Sequence, residues 1–299
     1  LEVTKELVEG GRLSETLERV TSHSGVDRVI VMMGNSGHLD LMNNAIYSAR
    51  RIGLDNLIVF ALDDGVCTEG GRVKTEGLEK GEESKTECFE LPKRHLEIIC
   101  GDCSRTRDVW SPGFADVAVI KPAVLKAVLE LGYSALWMDT DIVLFADPFL
   151  SLSPGSSSLI IQSGGTITYP DPEPEVLFRD ELCTGFFYIK PTSEMILFLS
   201  HVILELSTRE ESVQFGDQSS LNIVLWEWRL RGPTGDPVDF YVMDPVRYPS
   251  GGVFFTHHDS VYGYGGTGGR IEPVMAHNNF VIGKGAKEER FKRHGMWLR

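Results

Sequence analysis

The sequence predicts an α/β fold, a single Rossmann-like mixed sheet flanked by helices, formed by residues 1–299 as one domain. Three observations carry this. A strand, a Gly-containing loop, a helix and a second strand follow one another over residues 28–62, the pattern of a βαβ unit. A helix, a strand and two closely spaced acids follow in that order over residues 118–149. The chain is also long enough, at 299 residues, to bury one large core.

The elements read as follows. Residues 4–21 have the spacing of an amphipathic helix, with Leu7, Val8, Leu13, Leu17 and Val20 on its apolar side. Arg28 to Met33 is a buried strand, Gly34-Asn35-Ser36-Gly37 its loop, and His38 to Ile52 a helix. Asn56 to Leu62 is a second strand ending in Asp63-Asp64-Gly65. The loop lacks the G-x-G-x-x-G pattern, which argues against a dinucleotide cofactor. Residues 66–97 turn polar, charged and Gly-rich and read as a surface insertion. Leu159 to Gln162 and Gly185 to Ile189 read as strands, with a Pro-rich stretch from Tyr169 to Glu175 between them. Helices from Pro191 to about Leu206 and from Gln218 to Trp228 follow, then strands at Asp239 to Met243 and Val274 to His277. Gly251 to Gly269, rich in Gly and aromatics, reads as a functional or flexible loop. Residues 1–148 and 149–299 form the two halves of the domain in this reading.

The segment Ala135-Leu136-Trp137-Met138-Asp139-Thr140-Asp141-Ile142-Val143-Leu144 carries the most chemistry. Carboxylates are rarely buried unless paired or bound to a metal. Two of them interrupting an apolar run need a partner, and a hard divalent cation, Mn²⁺ or Mg²⁺, suits oxygen ligands. A bare D-x-D also occurs at ordinary strand ends with solvated acids. Here the preceding helix, stopped at Gly132, and the following Asp147-Pro148-Phe149 turn put the acids at the carboxyl end of a sheet strand, where open α/β sheets bind ligands.

A formal net charge of −14 argues against nucleic acid as a partner. No run reaches the roughly 18 apolar residues of a membrane span. The opening on Leu1-Glu2-Val3 rather than Met is compatible with a truncated chain whose anchor or signal lies upstream. Of five cysteines, Cys100-Gly101-Asp102-Cys103 has the C-x-x-C spacing but no second pair to make a zinc site; disulfides with one cysteine left free are expected. The pair His257-His258 reads as loop residues.

An ordered set of segments carries a resemblance. It comprises Ile30 to Met33 with its loop, Lys121, Met138-Asp139-Thr140-Asp141, and Asp147-Pro148-Phe149. It continues with Cys183-Thr184-Gly185-Phe186-Phe187-Tyr188, Asp217-Gln218 through Asn222, and His277-Asn278-Asn279-Phe280-Val281-Ile282-Gly283 with Lys287, Arg290-Phe291 and Trp297. In these the chain resembles the nucleotide-sugar transferases of GT-A fold, specifically glycosyltransferase family 77. It departs at Cys183, where Asn or Asp is commoner.

The resemblance implies a retaining, metal-dependent transfer of a sugar from a UDP-sugar to a glycan or glycoprotein acceptor. Asp141 is then the direct metal ligand, Asp139 reaches the metal or the ribose, and His277 is the third ligand. Met33, Gly34 and Asn35 hold base and ribose; Asp63-Asp64 either meets the base or ends a strand. Lys121 and Lys287 clamp the diphosphate, Lys287 from a turn opened by Gly283, with Lys284 as an alternative donor. Asp217 and Gln218 face the donor sugar, Asp217 also being a good helix N-cap. Retention goes through a covalent carboxylate intermediate or by same-face attack, the latter being favoured. Galactose, xylose and arabinofuranose all fit as the donor sugar. The implied setting is the Golgi lumen, as the catalytic domain of a type II membrane protein, with the cytosol as the alternative. Two other classes fit the D-x-D: metal-dependent nucleotidyl or phosphoryl transfer, and a non-catalytic nucleotide-sugar-binding relative.

Overall fold

The computed structural model describes residues 2–22, 25–74, 86–104, 114–152, 157–164, 182–208, 212–230, 232, 235, 237–256 and 272–298. Their strands are β1 (Arg28–Gly34), β2 (Leu57–Ala61), β3 (Glu87–Glu90), β4 (Ser134–Met138), β5 (Ile142–Leu144), β6 (Leu159–Ser163), β7 (Leu182–Ile189), β8 (Phe240–Val242) and β9 (Met275–His277). Their helices are α1 (Glu2–Glu9), α2 (Arg12–Thr21), α3 (Leu39–Arg51), α4 (Lys93–Cys100), α5 (Phe114–Ala118), α6 (Ile120–Glu130), α7 (Ser193–Thr208), α8 (Ser212–Leu230) and α9 (Lys284–Arg293).

Seven strands form one sheet in the order β3-β2-β1-β4-β7-β6-β8. β1 to β4 are mutually parallel, β7 runs antiparallel to β4 and β6, and β8 is parallel to β6. The central strands read as near-continuous apolar runs because both faces are covered. Alternate residues of β1 divide between the faces: Val31 belongs to the buried cluster that holds Leu13, Leu17, Val124 and Phe198, whereas Ile30 and Met32 belong to the one that holds Met42, Ala45 and Ile46 of α3. The mixed sheet expected from the sequence is thus present. Among the described residues no helix is long and apolar enough to cross a membrane.

Three expectations need correction. The helix expected over residues 4–21 is two helices, α1 and α2, broken at Gly10-Gly11, where Gly11 has φ 71°. The apolar spacing runs through the break, but two glycines leave little to hold a helix there. The stretch 66–97 is only partly an insertion. Its β3 is the edge strand of the main sheet, paired with β2, and α4 begins within it. A Cys67–Cys88 disulfide ties the start of this stretch to β3; residues 75–85 lie outside the described ones. Within Gly251 to Gly269, Gly252–Thr256 is a short π-helical turn rather than loop, and residues 257–269, His257-His258 included, lie outside the described ones. So does Tyr169 to Glu175. Cys100 pairs with Cys103, and Cys183 remains a buried free thiol.

Beyond the main sheet, β5 and β9 make a two-stranded antiparallel ribbon with Ile142 opposite His277. This ribbon joins two parts of the chain that are far apart in sequence, immediately after the D-x-D.

Candidate active site

The acids sit where β4 ends. Asp139 N–H donates to Gly185 O at 2.9 Å, closing β4 against β7, and Asn278 N–H donates to Asp141 O at 2.9 Å, closing β5 against β9. The consequence is a cluster: one ligand atom from each of Asp139, Asp141 and His277 lies within 4.8 Å of the others. Asp141 and His277 are buried, and His277 Nε2 is 3.4 Å from Asp141 Oδ1. The ring of His277 lies against Gly185, where an added Cβ would stand 2.1 Å from Cε1. Glycine at 185 is therefore a packing requirement of the histidine, independent of any backbone need.

Two lysines flank the cluster. Lys287, in the first turn of α9, puts Nζ 2.8 Å from Asp141 Oδ2. Asn278 Nδ2 holds Lys287 O at 2.8 Å and its Oδ1 accepts from Arg290 Nε at 2.5 Å, so the α9 turn is anchored to the β9 end. Lys121, in the first turn of α6, is buried. Its Nζ is 2.7 Å from Asp217 Oδ2, 3.4 Å from Asp139 Oδ1 and 3.1 Å from Thr184 O, and lies over the Trp137 ring at 4.8 Å. Asp217 follows Gly216, whose φ of 72° breaks the helical path of α8, so Asp217 opens the second segment. Its carboxylate faces Lys121 and the Thr184 hydroxyl, the latter at 2.8 Å. Gln218 Oε1 accepts from Thr184 N–H at 3.4 Å.

The charges shift one another strongly. Burial opposes ionisation of Asp141, but Lys287 and His277 outweigh it and hold its carboxyl well below the usual range. Burial raises Asp139, and Lys121 only partly counters this. Burial opposes charge on His277, yet the Cys183 sulfur and Asp141 outweigh it and push its pKa up to about 10. Lys121 is likewise held above an ordinary lysine: burial works against it, and Asp139 and Asp217 prevail. A cation entering this cluster must take His277 in its neutral form, so binding releases a proton.

One cleft of about 250 Å³ collects most of the residues singled out from the sequence. Met33, Gly34, Asn35, Lys121, Asp139, Asp141, Asp217, Gly283 and Lys287 all line it. Gln218 and His277 do not; Gln218 lies on the β7 backbone and His277 stands behind the acids. Asn35 Nδ2 donates to Cys103 O at 2.9 Å, which ties the β1 loop to the Cys100–Cys103 pair. Asp63 accepts from Ser36 N–H at 2.8 Å rather than facing the cleft. Lys284 pairs with Asp40 at 2.8 Å.

Sequence reading passed over Trp137, whose Nε1–H donates to Asp139 Oδ1 at 2.6 Å, and Gln162, whose Oε1 is 3.0 Å from His277 Nδ1. Trp137, two residues before Asp139, had a local signal: alternate strand residues share a face. Gln162 had none.

A family model described as nucleotide-diphospho-sugar transferase matches residues 53–291. UDP-D-xylose:L-fucose alpha-1,3-D-xylosyltransferase 1 of Arabidopsis thaliana is 29% identical over 197 residues, which is 63% of this chain and 52% of that protein. UDP-galactose:fucoside alpha-3-galactosyltransferase of Dictyostelium discoideum is 24% identical over 297 residues, 90% of this chain and 42% of that protein. The chain spans about half the length of the curated relatives it matches. Among solved structures, the glycosyltransferase GlyE of Streptococcus pneumoniae TIGR4 aligns with a TM-score of 0.50 at 13% identity, over 92% of this chain and 61% of that one, a likeness of fold. The mixed seven-stranded sheet flanked by helices is the GT-A arrangement.

Proposed function

Because the chain belongs to the nucleotide-diphospho-sugar transferase family, we propose that it is a metal-dependent, retaining glycosyltransferase that moves a sugar from a UDP-sugar to a hydroxyl of a glycan or glycoprotein acceptor. The observation that carries this reading is the convergence of Asp139, Asp141 and His277 beside Lys287 and Lys121 around one cleft. Two carboxylates and one imidazole fit Mn²⁺ or Mg²⁺, with room left for phosphate oxygens. Bound there, a divalent cation supplies Lewis-acid neutralisation of the charge that builds on a departing diphosphate.

The chain's own groups do the rest. Lys287, 2.8 Å from Asp141, presents a point charge and three donors for a diphosphate at the same spot. The Met33-Gly34-Asn35 loop at the carboxyl end of β1 lines the wall of the cleft suited to base and ribose. Asp217 and Gln218, beside the β7 backbone, are assigned to the donor sugar. Asp217 Oδ2 already accepts from Lys121 and from Thr184, which leaves that oxygen a poor nucleophile. This supports same-face attack, with the leaving phosphate taking the acceptor proton, over a covalent carboxylate intermediate. The Cys67–Cys88 disulfide suits an oxidising compartment and supports the Golgi lumen as the setting.

The test is a donor screen. UDP-xylose, UDP-galactose and UDP-arabinofuranose are each incubated with the protein and Mn²⁺. A fucoside is the first acceptor to try, because the relatives named above carry fucose or fucoside in their names. UDP release and a product of retained anomeric configuration, abolished by chelation, are expected. Turnover undiminished by chelation, or a product of inverted configuration, would overturn the proposal.

A further inference from the structure

Gln162 is completely buried at the end of β6. The β6–β7 ladder slips between Ile161 and Gln162, so that Gln162 stands opposite Cys183, beneath the acid–histidine cluster. Irregularities of this kind re-aim a side chain beside a site. The Gln162 amide has one allowed orientation. Its Nε2 lies 3.2 Å from Tyr248 O and 3.1 Å from Pro249 O. Two carbonyls accept only, so the amide nitrogen must face them and use both of its hydrogens there. Its Oε1 is thereby turned to His277 Nδ1 at 3.0 Å. An amide oxygen can only accept, so Nδ1 must carry a proton. A neutral imidazole with its proton on Nδ1 has its lone pair on Nε2, the nitrogen that faces Asp141. The Cys183 sulfur, 3.5 Å from the same Nδ1, is the longer contact.

We propose that Gln162 is a positioning residue: through two backbone carbonyls it fixes the ring and tautomer of His277, and so sets the affinity of the site for its cation. This rests on reading the cluster as a metal centre. Partners of this kind typically change metal affinity 10–100-fold when removed. Gln162→Met keeps length and loses both functions. It is expected to fold, to bind UDP in saturating Mn²⁺ as the wild type does, and to bind Mn²⁺ about 10–100-fold more weakly by electron paramagnetic resonance titration. A merely structural role would weaken both ligands together or neither.

A second measurement needs no variant at Gln162. In wild-type protein labelled with ¹⁵N-histidine and loaded with Mg²⁺ and UDP, long-range ¹H–¹⁵N correlation spectra should show His277 protonated at Nδ1, its signal assigned by loss in His277→Ala. Proton on Nε2 would overturn the proposal, as would a folded Gln162→Met with unchanged Mn²⁺ affinity. Wild-type protein that binds no divalent cation would overturn the functional reading and this inference with it, a result distinct from the other two.

Discussion

Asp141→Asn is expected to leave a folded protein whose Mn²⁺-dependent transfer falls by about 10²–10³-fold or more in kcat/KM, the usual scale for removing one electrostatic stabiliser from a site. The substitution preserves shape but removes the charge that both Lys287 and His277 face, at 2.8 and 3.4 Å. Loss of that charge would remove a proposed cation ligand and also free Lys287 from its partner. Mn²⁺ and UDP should therefore lose their mutual dependence, which titration of each ligand in the presence of the other would show. Asp147→Asn is the control. Asp147 caps the Pro148–Leu150 turn through Phe149 N–H at 2.8 Å, a role Asn can fill, so activity should be retained. Equal loss in both variants would mean that the D-x-D has no special role.

Lys121→Met is expected to have the largest effect on stability. Lys121 and Asp217 are 10% and 13% exposed as side chains, and Lys121 also faces Asp139. Breaking a buried pair by removing one partner typically costs about 3–5 kcal/mol, because a charge is left without its counter-ion. For a chain of this size, at about 2.1 cal/mol/K of unfolding entropy per residue, that corresponds to about 5–8 °C in Tm. With the cation gone, Asp139 rises further above its ordinary pKa, because burial, Asp141 and Asp217 all act in that direction. Added Mn²⁺ should recover part of the loss by supplying positive charge beside Asp139, one of the two carboxylates that Lys121 faces. Thermal melts with and without Mn²⁺ check both points. An unchanged Tm would show that water solvates the pair.

What the sequence made legible was local. The D-x-D strand, the β1 loop and the Gly283–Lys287 turn each declare themselves within a dozen residues, and all three line one cleft. The partnership of Asp141 with His277 was not legible from spacing. It depends on the β5–β9 ribbon, whose short strands pair across more than 130 residues, and only the family resemblance suggested it. Gln162 was invisible for a related reason: its reach to His277 depends on a slip in the β6–β7 register, which no pattern within β6 encodes. The errors were also physical in origin. Composition made residues 66–97 look like an insertion, yet Glu87–Glu90 completes the sheet edge, with Glu87 paired to Arg72 at 2.7 Å and Arg19 at 3.2 Å. Helical spacing carried the first helix across Gly10-Gly11 because periodicity counts apolar positions and ignores backbone freedom.

The most direct test of the metal–diphosphate site is thermal stabilisation of the wild-type protein by UDP, GDP, CMP and ADP, each with and without Mn²⁺. A ligand that binds only the folded state raises stability by mass action, about 2.7 kcal/mol at a hundred times its Kd. The account predicts a shift for UDP alone, present with Mn²⁺ and lost on chelation. No shift with any nucleotide, from well-folded protein, would contradict it and return Asp139 and Asp141 to being the charged end of a strand.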